Sequence, residues 1–96
     1  MKLKIDDYDW DPDKRLRNLR KHRVDFTALP DFEWDTAFIG FDNDPIHGEE
    51  RMKAYGFIGR KLFILVYTER GEKVRAISLR IAEKQEKRRY EQKQLD

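Results

Sequence analysis

Short apolar runs separated by turn residues fill the second half of the chain. Arg51 to Ile58 is a strand candidate, and Gly59-Arg60 turns the chain. Leu62 to Thr68 is the most apolar segment and is predicted to be the central strand, because a strand covered on both faces is apolar at most positions. Gly71-Glu72 is predicted to be a two-residue type II′ turn, which prefers glycine first, and Val74 to Arg80 is the third strand.

The beginning of the chain predicts a short strand and then a helix. Lys2 to Ile5 alternates polar and apolar residues, as a half-buried strand does. Asp11 is a suitable N-cap, and Pro12 suits the first helical position, where its missing N–H costs nothing. The helix is expected to run to about His22.

A second, shorter helix is predicted after the first. Asp25 or Thr27 can cap it, and Pro30 limits its length, so it is expected to end near Trp34 or Asp35. Ala37 to Phe41 then has the composition of a strand.

A loop and a final helix complete the prediction. Residues 42–50, "DNDPIHGEE", contain proline and glycine and are predicted to be a loop, whereas Ala82 to Gln92 has the composition of a helix. The 96 residues are expected to form one domain, 1–96. The predicted fold class is α+β: a small, mainly antiparallel β-sheet of about four or five strands, with two N-terminal helices and one C-terminal helix.

The predicted two-residue turn sets the strand register and divides the hairpin into two faces. It pairs Val66 with Ile77 and Ile64 with Leu79. One face is then the core, covered by the two N-terminal helices: Leu62, Ile64, Val66, Ile77, Leu79 and Ile81. The other face has small residues in its middle and is either a groove for an extended ligand or an apolar face under the C-terminal helix: Tyr67, Glu69, Ala76, Ser78 and Arg80, with Met52, Ala54 and Gly56 beside them.

Charge is distributed unevenly along the chain although the net charge is only +2. Residues 1–50 carry 8 basic and 13 acidic side chains, and residues 51–96 carry 13 basic and 6 acidic ones. A purely basic block extends from Lys14 to Arg23. Such segregation predicts either a surface for a polyanion or ordinary solvated helix faces.

Several classes of protein and site are disfavoured. There is no cysteine, so disulfide and thiolate chemistry are excluded, which fits a reducing cytoplasm. No apolar stretch approaches the roughly 20 residues of a membrane span, and the acidic start does not resemble a signal peptide. His22 and His47 lie in different predicted elements without a metal-binding motif, so neither a metal nor a cofactor is expected. Ser78 is the single serine and lacks a nucleophile motif.

Cleavage of RNA needs none of these features, because RNA carries its own nucleophile in the 2′-hydroxyl. The protein must orient that group, transfer protons and neutralise the developing charge. Each candidate also has a plain structural explanation: the arginines as solvated side chains, Glu69 in a strand-end ion pair and Tyr90 as the packing anchor of the last helix. The cationic candidates are Arg51, Arg70, Arg80, Arg88 and Arg89, and the proton-transfer candidates are His22, Glu50, Glu69 and Tyr90.

Four segments in order resemble the signatures of the BrnT toxins of type II toxin–antitoxin systems. They are "WDPDKRLRNLRKHRVDF", "HGEER", "VYTERGEKVRAISLR" and "EKRRYE", and together they extend from about Trp10 to Glu91. The resemblance implies a RelE-like fold and a metal-independent ribonuclease that arrests growth. It also implies a small ribbon-helix-helix antitoxin, BrnA, which neutralises the toxin and contacts DNA, so that the toxin meets DNA only through the complex.

The resemblance also implies the site residues. Arg70 and Arg80 are expected on the scissile phosphate, with Tyr90 or Glu69 in proton transfer. The family usually has glycine where this chain has Arg23, and this removes the residue that most easily forms a left-handed C-cap at the end of the first helix. A non-catalytic module that binds an antitoxin partner and regulates its operon is the alternative function. The expected RNA-binding residues are Lys21, His22, Glu50, Arg51, Arg88 and Arg89.

Overall fold

A computed structural model describes residues 2–42 and 50–96 of the chain. It contains two α-helices, α1 (Pro12–His22) and α2 (Lys84–Leu95), and two 3₁₀ helices, Ile5–Asp7 and Phe26–Asp31. The five strands are β1 (Tyr8–Asp9), β2 (Phe38–Asp42), β3 (Arg51–Ile58), β4 (Lys61–Arg70) and β5 (Lys73–Ile81).

The strands form one mixed sheet in the order β1-β5-β4-β3-β2. Strands β2 to β5 are an antiparallel meander, and β1 pairs with β5 in parallel. This confirms the predicted α+β class, the mainly antiparallel sheet and the central place of the most apolar strand. The predicted loop at 42–50 lies outside the described residues, apart from Asp42, which ends β2, and Glu50.

The strand predicted at Lys2 to Ile5 is wrong. The carboxylate of Asp7 accepts a hydrogen bond from the Lys4 N–H at 2.7 Å, and this favours a 3₁₀ turn over an extended chain. The strand begins only at Tyr8, which lies opposite Val74 of β5.

The first predicted helix is confirmed with its cap. The Asp11 carboxylate accepts a hydrogen bond from the Asp13 N–H at 2.9 Å, and α1 ends at His22. Arg23 follows in the left-handed conformation, with φ +61°, so an arginine serves here as the C-cap that glycine usually supplies.

The second predicted helix is correct in its cap and wrong in its type and length. The Asp25 side chain caps it as predicted, but the segment is a 3₁₀ helix that ends at Asp31. Pro30 supplies no N–H for a helical bond. The chain then turns to the sheet, where the Glu33 N–H donates to the Phe57 carbonyl at 2.9 Å.

A β-bulge in β5 overturns the predicted register of the central hairpin. Tyr67 lies opposite Ala76, as the two-residue turn predicts, but Val66 lies opposite Ser78 and not Ile77. The extra residue turns every later side chain of β5 to the other face. Leu79 therefore lies opposite Leu65, and Arg80 lies opposite Ile64, so the two predicted faces are exchanged along this part of the sheet.

The inner face of the sheet, which carries Leu65, Tyr67, Ala76 and Leu79, holds the larger core. The second 3₁₀ helix and the residues after it cover this face, with Phe26, Leu29 and Phe32 all fully buried. A Cβ atom at Gly56 would lie 2.4 Å from Cζ of Phe32. Gly56, one of the small residues that predicted an open groove, therefore makes room for an aromatic ring, and the middle of this face is core and not the predicted groove.

The outer face, which carries Tyr55, Leu62, Ile64 and Arg80, is covered over one half by α2. Tyr90 packs edge-on against Phe57 with ring centroids 5.5 Å apart, and Ala82 joins the same cluster. The N-terminal helices do not form this cluster, contrary to the prediction.

Helix α1 lies along the free edge of β5, beyond the two residues that β1 covers. The buried Asn18 side chain accepts from the Leu79 N–H at 2.9 Å and donates to the Leu79 carbonyl at 2.8 Å. One side-chain amide thus replaces a neighbouring strand and satisfies both backbone groups. This docking fixes α1, with its basic side chains, beside the uncovered half of the outer face.

Candidate functional site

A groove of about 510 Å³ lies between α1 and the uncovered half of the outer face. Basic side chains from the helix and from β3 line it, and none of the described lining residues is a carboxylate. We call it the basic groove. Its lining residues are Lys14, Arg17, Asn18, Lys21, His22, Arg51, Ile77 and Ser78.

The helical repeat brings the cations of α1 to one side. Lys14, Arg17 and Lys21 are separated by three and four positions, so their side chains lie above one another on one face. Asn18, between them on that face, holds the helix to β5. The same residue pattern that docks the helix therefore directs its cations into the groove.

Arg51 supplies the opposite wall. It is the first residue of β3 and shares the outer face with Lys53 and Tyr55, because side chains two positions apart point the same way. Its Nε atom is buried and has no hydrogen-bond acceptor within residues 2–42 and 50–96. A buried donor without an acceptor is uncommon, and an anionic ligand in the groove would satisfy it.

His22 lies at the end of the groove where α1 ends. Burial lowers the pKa of its imidazole, and the charges of Lys21 and Arg80 lower that pKa further. The negative end of the helix dipole favours a protonated histidine, but burial and the two cations prevail. At neutral pH the imidazole is therefore neutral and able to accept a proton.

Arg80 lies two positions after Ser78 of the groove, on the same face of β5, and is held by α2. Its two Nη atoms donate to the Glu86 carboxylate at 2.7 and 2.8 Å. The hydrogen bonds from Arg80 lower the pKa of Glu86 to about 2. A cation fixed in this way presents its remaining hydrogens in a defined direction.

Glu69 and Arg70 are placed away from the groove. Both are exposed at the tip of the β4–β5 hairpin, and Glu69 lines a shallow apolar cavity with Trp34 and Tyr67 on the inner face. Arg80 is on the outer face, so the prediction that Glu69 and Arg80 share a face is wrong. The bulge in β5 separates them.

Tyr90 is the packing anchor of α2. Only 7 % of the residue is exposed, and its hydroxyl donates to the Thr36 carbonyl at 2.8 Å. It lines a separate cavity with Phe57 and Leu62, on the half of the outer face that α2 covers. The structure does not bring Tyr90 together with the other predicted catalytic residues.

The remaining predicted residues do not line the basic groove. Glu50 is exposed next to Arg51, and Arg88 is exposed on α2. The Arg89 guanidinium lies 5.9 Å from the ring centroid of Phe38. Of the predicted RNA-binding residues, the groove gathers Lys21, His22 and Arg51.

Sequence reasoning missed Lys14, Arg17 and Glu86. The first two belong to the basic block, and their helical spacing with Lys21 was a usable signal. Glu86 gave no signal of its own, because its contact with Arg80 depends on how α2 packs. Within the described parts of the chain, no three metal-binding side chains cluster, and no helix has the length and apolarity needed to cross a bilayer.

The groove combines fixed cations with a neutral imidazole, an arrangement suited to holding a phosphodiester and moving a proton. A comparison with curated proteins finds no match. A comparison with protein families matches residues 10–86 to the ribonuclease toxin BrnT of type II toxin–antitoxin systems. The match includes the groove residues, Arg80 and Glu86, and it ends before Arg88, Arg89 and Tyr90. The chain therefore belongs to the BrnT family of ribonuclease toxins.

Proposed function

We propose that the basic groove binds RNA and that the chain cleaves it there. The observation that carries the proposal is that all the charged side chains lining the groove are positive. The cations of α1 and Arg51 face each other, with His22 at the end. A phosphate backbone is the ligand that such a lining attracts most strongly. Membership of a family of ribonuclease toxins supports the activity, and the basic lining supports the groove as the site where RNA binds.

The proposed reaction is an attack of the RNA 2′-hydroxyl on the adjacent phosphorus. His22 accepts the hydroxyl proton as the new O–P bond forms. The bond to the 5′-oxygen breaks, that oxygen takes a proton from water, and a 2′,3′-cyclic phosphate remains. Arg51 and Arg80 stabilise the charge that develops on the phosphate. Side chains supply the base and the charge stabilisation, and water supplies the proton for the leaving oxygen, so we propose a metal-independent reaction.

Proton transfer is assigned to His22 and not to Glu69 or Tyr90. Glu69 lies on the inner face, and the Tyr90 hydroxyl is already bonded to the Thr36 carbonyl. Arg70, Arg88 and Arg89 are proposed as outlying cations without contact to the reacting phosphate, and Glu50 is assigned no step.

The alignment of Lys14, Arg17 and Lys21 suits a single strand that runs along α1. Lys14 and Lys21 are separated by about 10 Å along the axis, from a rise of 1.5 Å per residue. Their role is to hold the backbone while the phosphate at the far end reacts. Contacts of this kind add affinity without reading bases.

An antitoxin partner follows from membership of a type II toxin–antitoxin family. We propose that this partner is a BrnA-like ribbon-helix-helix protein, that RNA is the substrate, and that DNA is contacted only through the antitoxin complex. A RelE-like arrangement of the helices and a cytoplasmic location remain predictions. A single α-helix precedes the meander here, where two helices were predicted.

Cleavage of a fluorescent single-stranded RNA by the purified chain tests the proposal. His22→Gln and Arg51→Ala are expected to reduce cleavage at least 100-fold, which is the scale of a general base or a charge-stabilising donor. Arg20→Ala is the matched control on α1, since Arg20 is exposed and does not line the groove. Wild-type cleavage by His22→Gln contradicts the assigned base. A folded wild-type chain that neither cleaves RNA nor arrests growth without an antitoxin supports the alternative, a non-catalytic module that binds its partner.

A further inference from the structure

The first turn of α2 meets the outer face next to the basic groove, and Glu86 makes the contact. Its carboxylate accepts from both Nη atoms of Arg80 and, at 2.8 Å, from the Glu83 N–H. Lys53 Nζ lies 3.8 Å from its second oxygen. The Glu86 side chain is 13 % exposed. In a capping box, the side chain at this position needs to accept only from the N-cap N–H, here that of Glu83. The cap therefore does not explain why the Glu86 carboxylate also binds Arg80.

We propose that Glu86 is a positioning residue: it fixes the Arg80 guanidinium next to the basic groove, two residues after Ser78, where Arg80 meets the reacting phosphate. The inference rests on the proposed function of the basic groove. The fork occupies one hydrogen on each Nη atom of Arg80, and Nη1 also donates to the Ile81 carbonyl at 3.5 Å. A guanidinium has five hydrogens, so the Nε hydrogen and the outer Nη2 hydrogen remain for a phosphate. Arginine is flexible when free, and a fixed fork avoids part of the ordering cost when RNA binds.

A second bidentate pair provides the comparison that separates positioning from simple stability. Arg15 donates to Asp25 through Nε at 2.9 Å and through Nη2 at 3.0 Å. Asp25 also caps a helix, by accepting from the Thr27 N–H at 3.1 Å. The two carboxylates therefore make the same kinds of bond. Only Glu86 holds an arginine whose charge acts on His22, and neither Arg15 nor Asp25 lines the groove.

The charge of Glu86 also reaches His22 through Arg80. Cations on three elements face that imidazole or share its groove: Lys21 on α1 and Arg80 on β5 lower its pKa, and Lys14, Arg17 and Arg51 line the same groove. Glu86 on α2 and Glu83, the N-cap of that helix, offset the charge of Arg80. When the charge of Glu86 is removed, Arg80 acts on His22 without compensation, and the protonated imidazole becomes less favourable.

The first test needs no RNA. The pKa of His22 is measured by NMR titration in the wild-type chain, in Glu86→Gln and in Asp25→Asn, with His22→Gln assigning the resonance. Glutamine retains a capping-box acceptor, so the cap is retained while the charge is lost. The pKa of His22 is expected to fall in Glu86→Gln and to stay at the wild-type value in Asp25→Asn. An unchanged pKa in Glu86→Gln overturns the link between Glu86 and the groove.

The second test is the kinetics of RNA cleavage by the same variants. Glu86→Gln is expected to lower kcat about 10- to 100-fold without raising KM, because a misplaced charge costs the transition state more than the bound substrate. Asp25→Asn is expected to keep both constants. Wild-type kcat in Glu86→Gln, or an equal loss in Asp25→Asn, reduces Glu86 to a stabilising residue. If His22→Gln cleaves RNA at the wild-type rate, the proposed function fails instead. The NMR titration then still shows whether Glu86 acts on the pKa of His22.

Discussion

The two faces of the sheet are built from the same four long strands and solve different problems. On the inner face, Gly56 receives the ring of Phe32, and Ala54 beside it is fully buried. On the outer face, α2 covers one half, and the other half remains a groove lined by cations. The core face gains stability from close packing. The groove face gathers like charges, which repel one another, so its composition serves a ligand and not the fold.

The largest expected effect is a loss of stability when the packing of the inner face is disrupted. Phe32 is fully buried against Gly56, and Phe32→Ala is expected to destabilise the chain by about 3–5 kcal/mol, as large aromatic truncations do. Urea denaturation measures the change in the free energy of unfolding. A loss under 1 kcal/mol contradicts the assignment of this face as the core.

The next largest effect is expected at the edge of β5, where Asn18 holds α1 to Leu79. Asn18→Ala leaves the Leu79 N–H and carbonyl without their partner, at a cost of about 1–3 kcal/mol for a buried group. RNA affinity is expected to fall as well, because Asn18 fixes the helix that carries Lys14, Arg17 and Lys21. Denaturation and fluorescence anisotropy with the folded variant measure the two losses. A stability loss with unchanged RNA affinity shows that the groove does not depend on this docking.

The loss of stability at low pH provides a direct comparison of the two bidentate pairs, Arg15 with Asp25 and Arg80 with Glu86. The pKa values of Asp25 and Glu86 are both lowered to about 2 in the folded chain. A depressed carboxyl pKa adds stability above the unfolded value near 4, and that stability is lost as the pH falls toward 2. Melting temperatures between pH 6 and pH 2 measure the loss. Asp25→Asn and Glu86→Gln are each expected to flatten the profile, and a wild-type slope in both variants contradicts the assigned pairs.

The smallest expected effect concerns the exit from α1. Arg23 has φ +61°, a conformation that costs a residue with a Cβ atom about 1 kcal/mol relative to glycine. Arg23→Gly is therefore expected to stabilise the chain by up to about 1 kcal/mol and to leave cleavage unchanged, since Arg23 does not line the groove. A lower melting temperature contradicts this account of the cap.

Local patterns predicted most of the elements, because caps, turns and apolar runs act over a few residues. Asp11 and Gly71-Glu72 are examples, and the structure confirms both the cap and the turn. The bulge at Ile77 left no such signal, and one extra residue exchanged the faces of everything after it. The candidate site depends on that exchange, since it places Arg80 on the outer face. Contacts such as Arg80 with Glu86 join distant elements and follow from packing that a sequence pattern does not contain.

The central claim is that RNA lies in the basic groove with its phosphates on the cations of α1. The most direct measurement is the salt dependence of RNA binding by His22→Gln, compared with the same chain carrying Lys14→Ala and Arg17→Ala. The slope of log K against log salt is negative, and each lost phosphate contact makes it less steep by about 0.7 for a single strand. The double change is therefore expected to make the slope less steep by about 1.4. Arg20→Ala in the same background is expected to leave the slope unchanged. A double variant with the parental slope and affinity contradicts the claim.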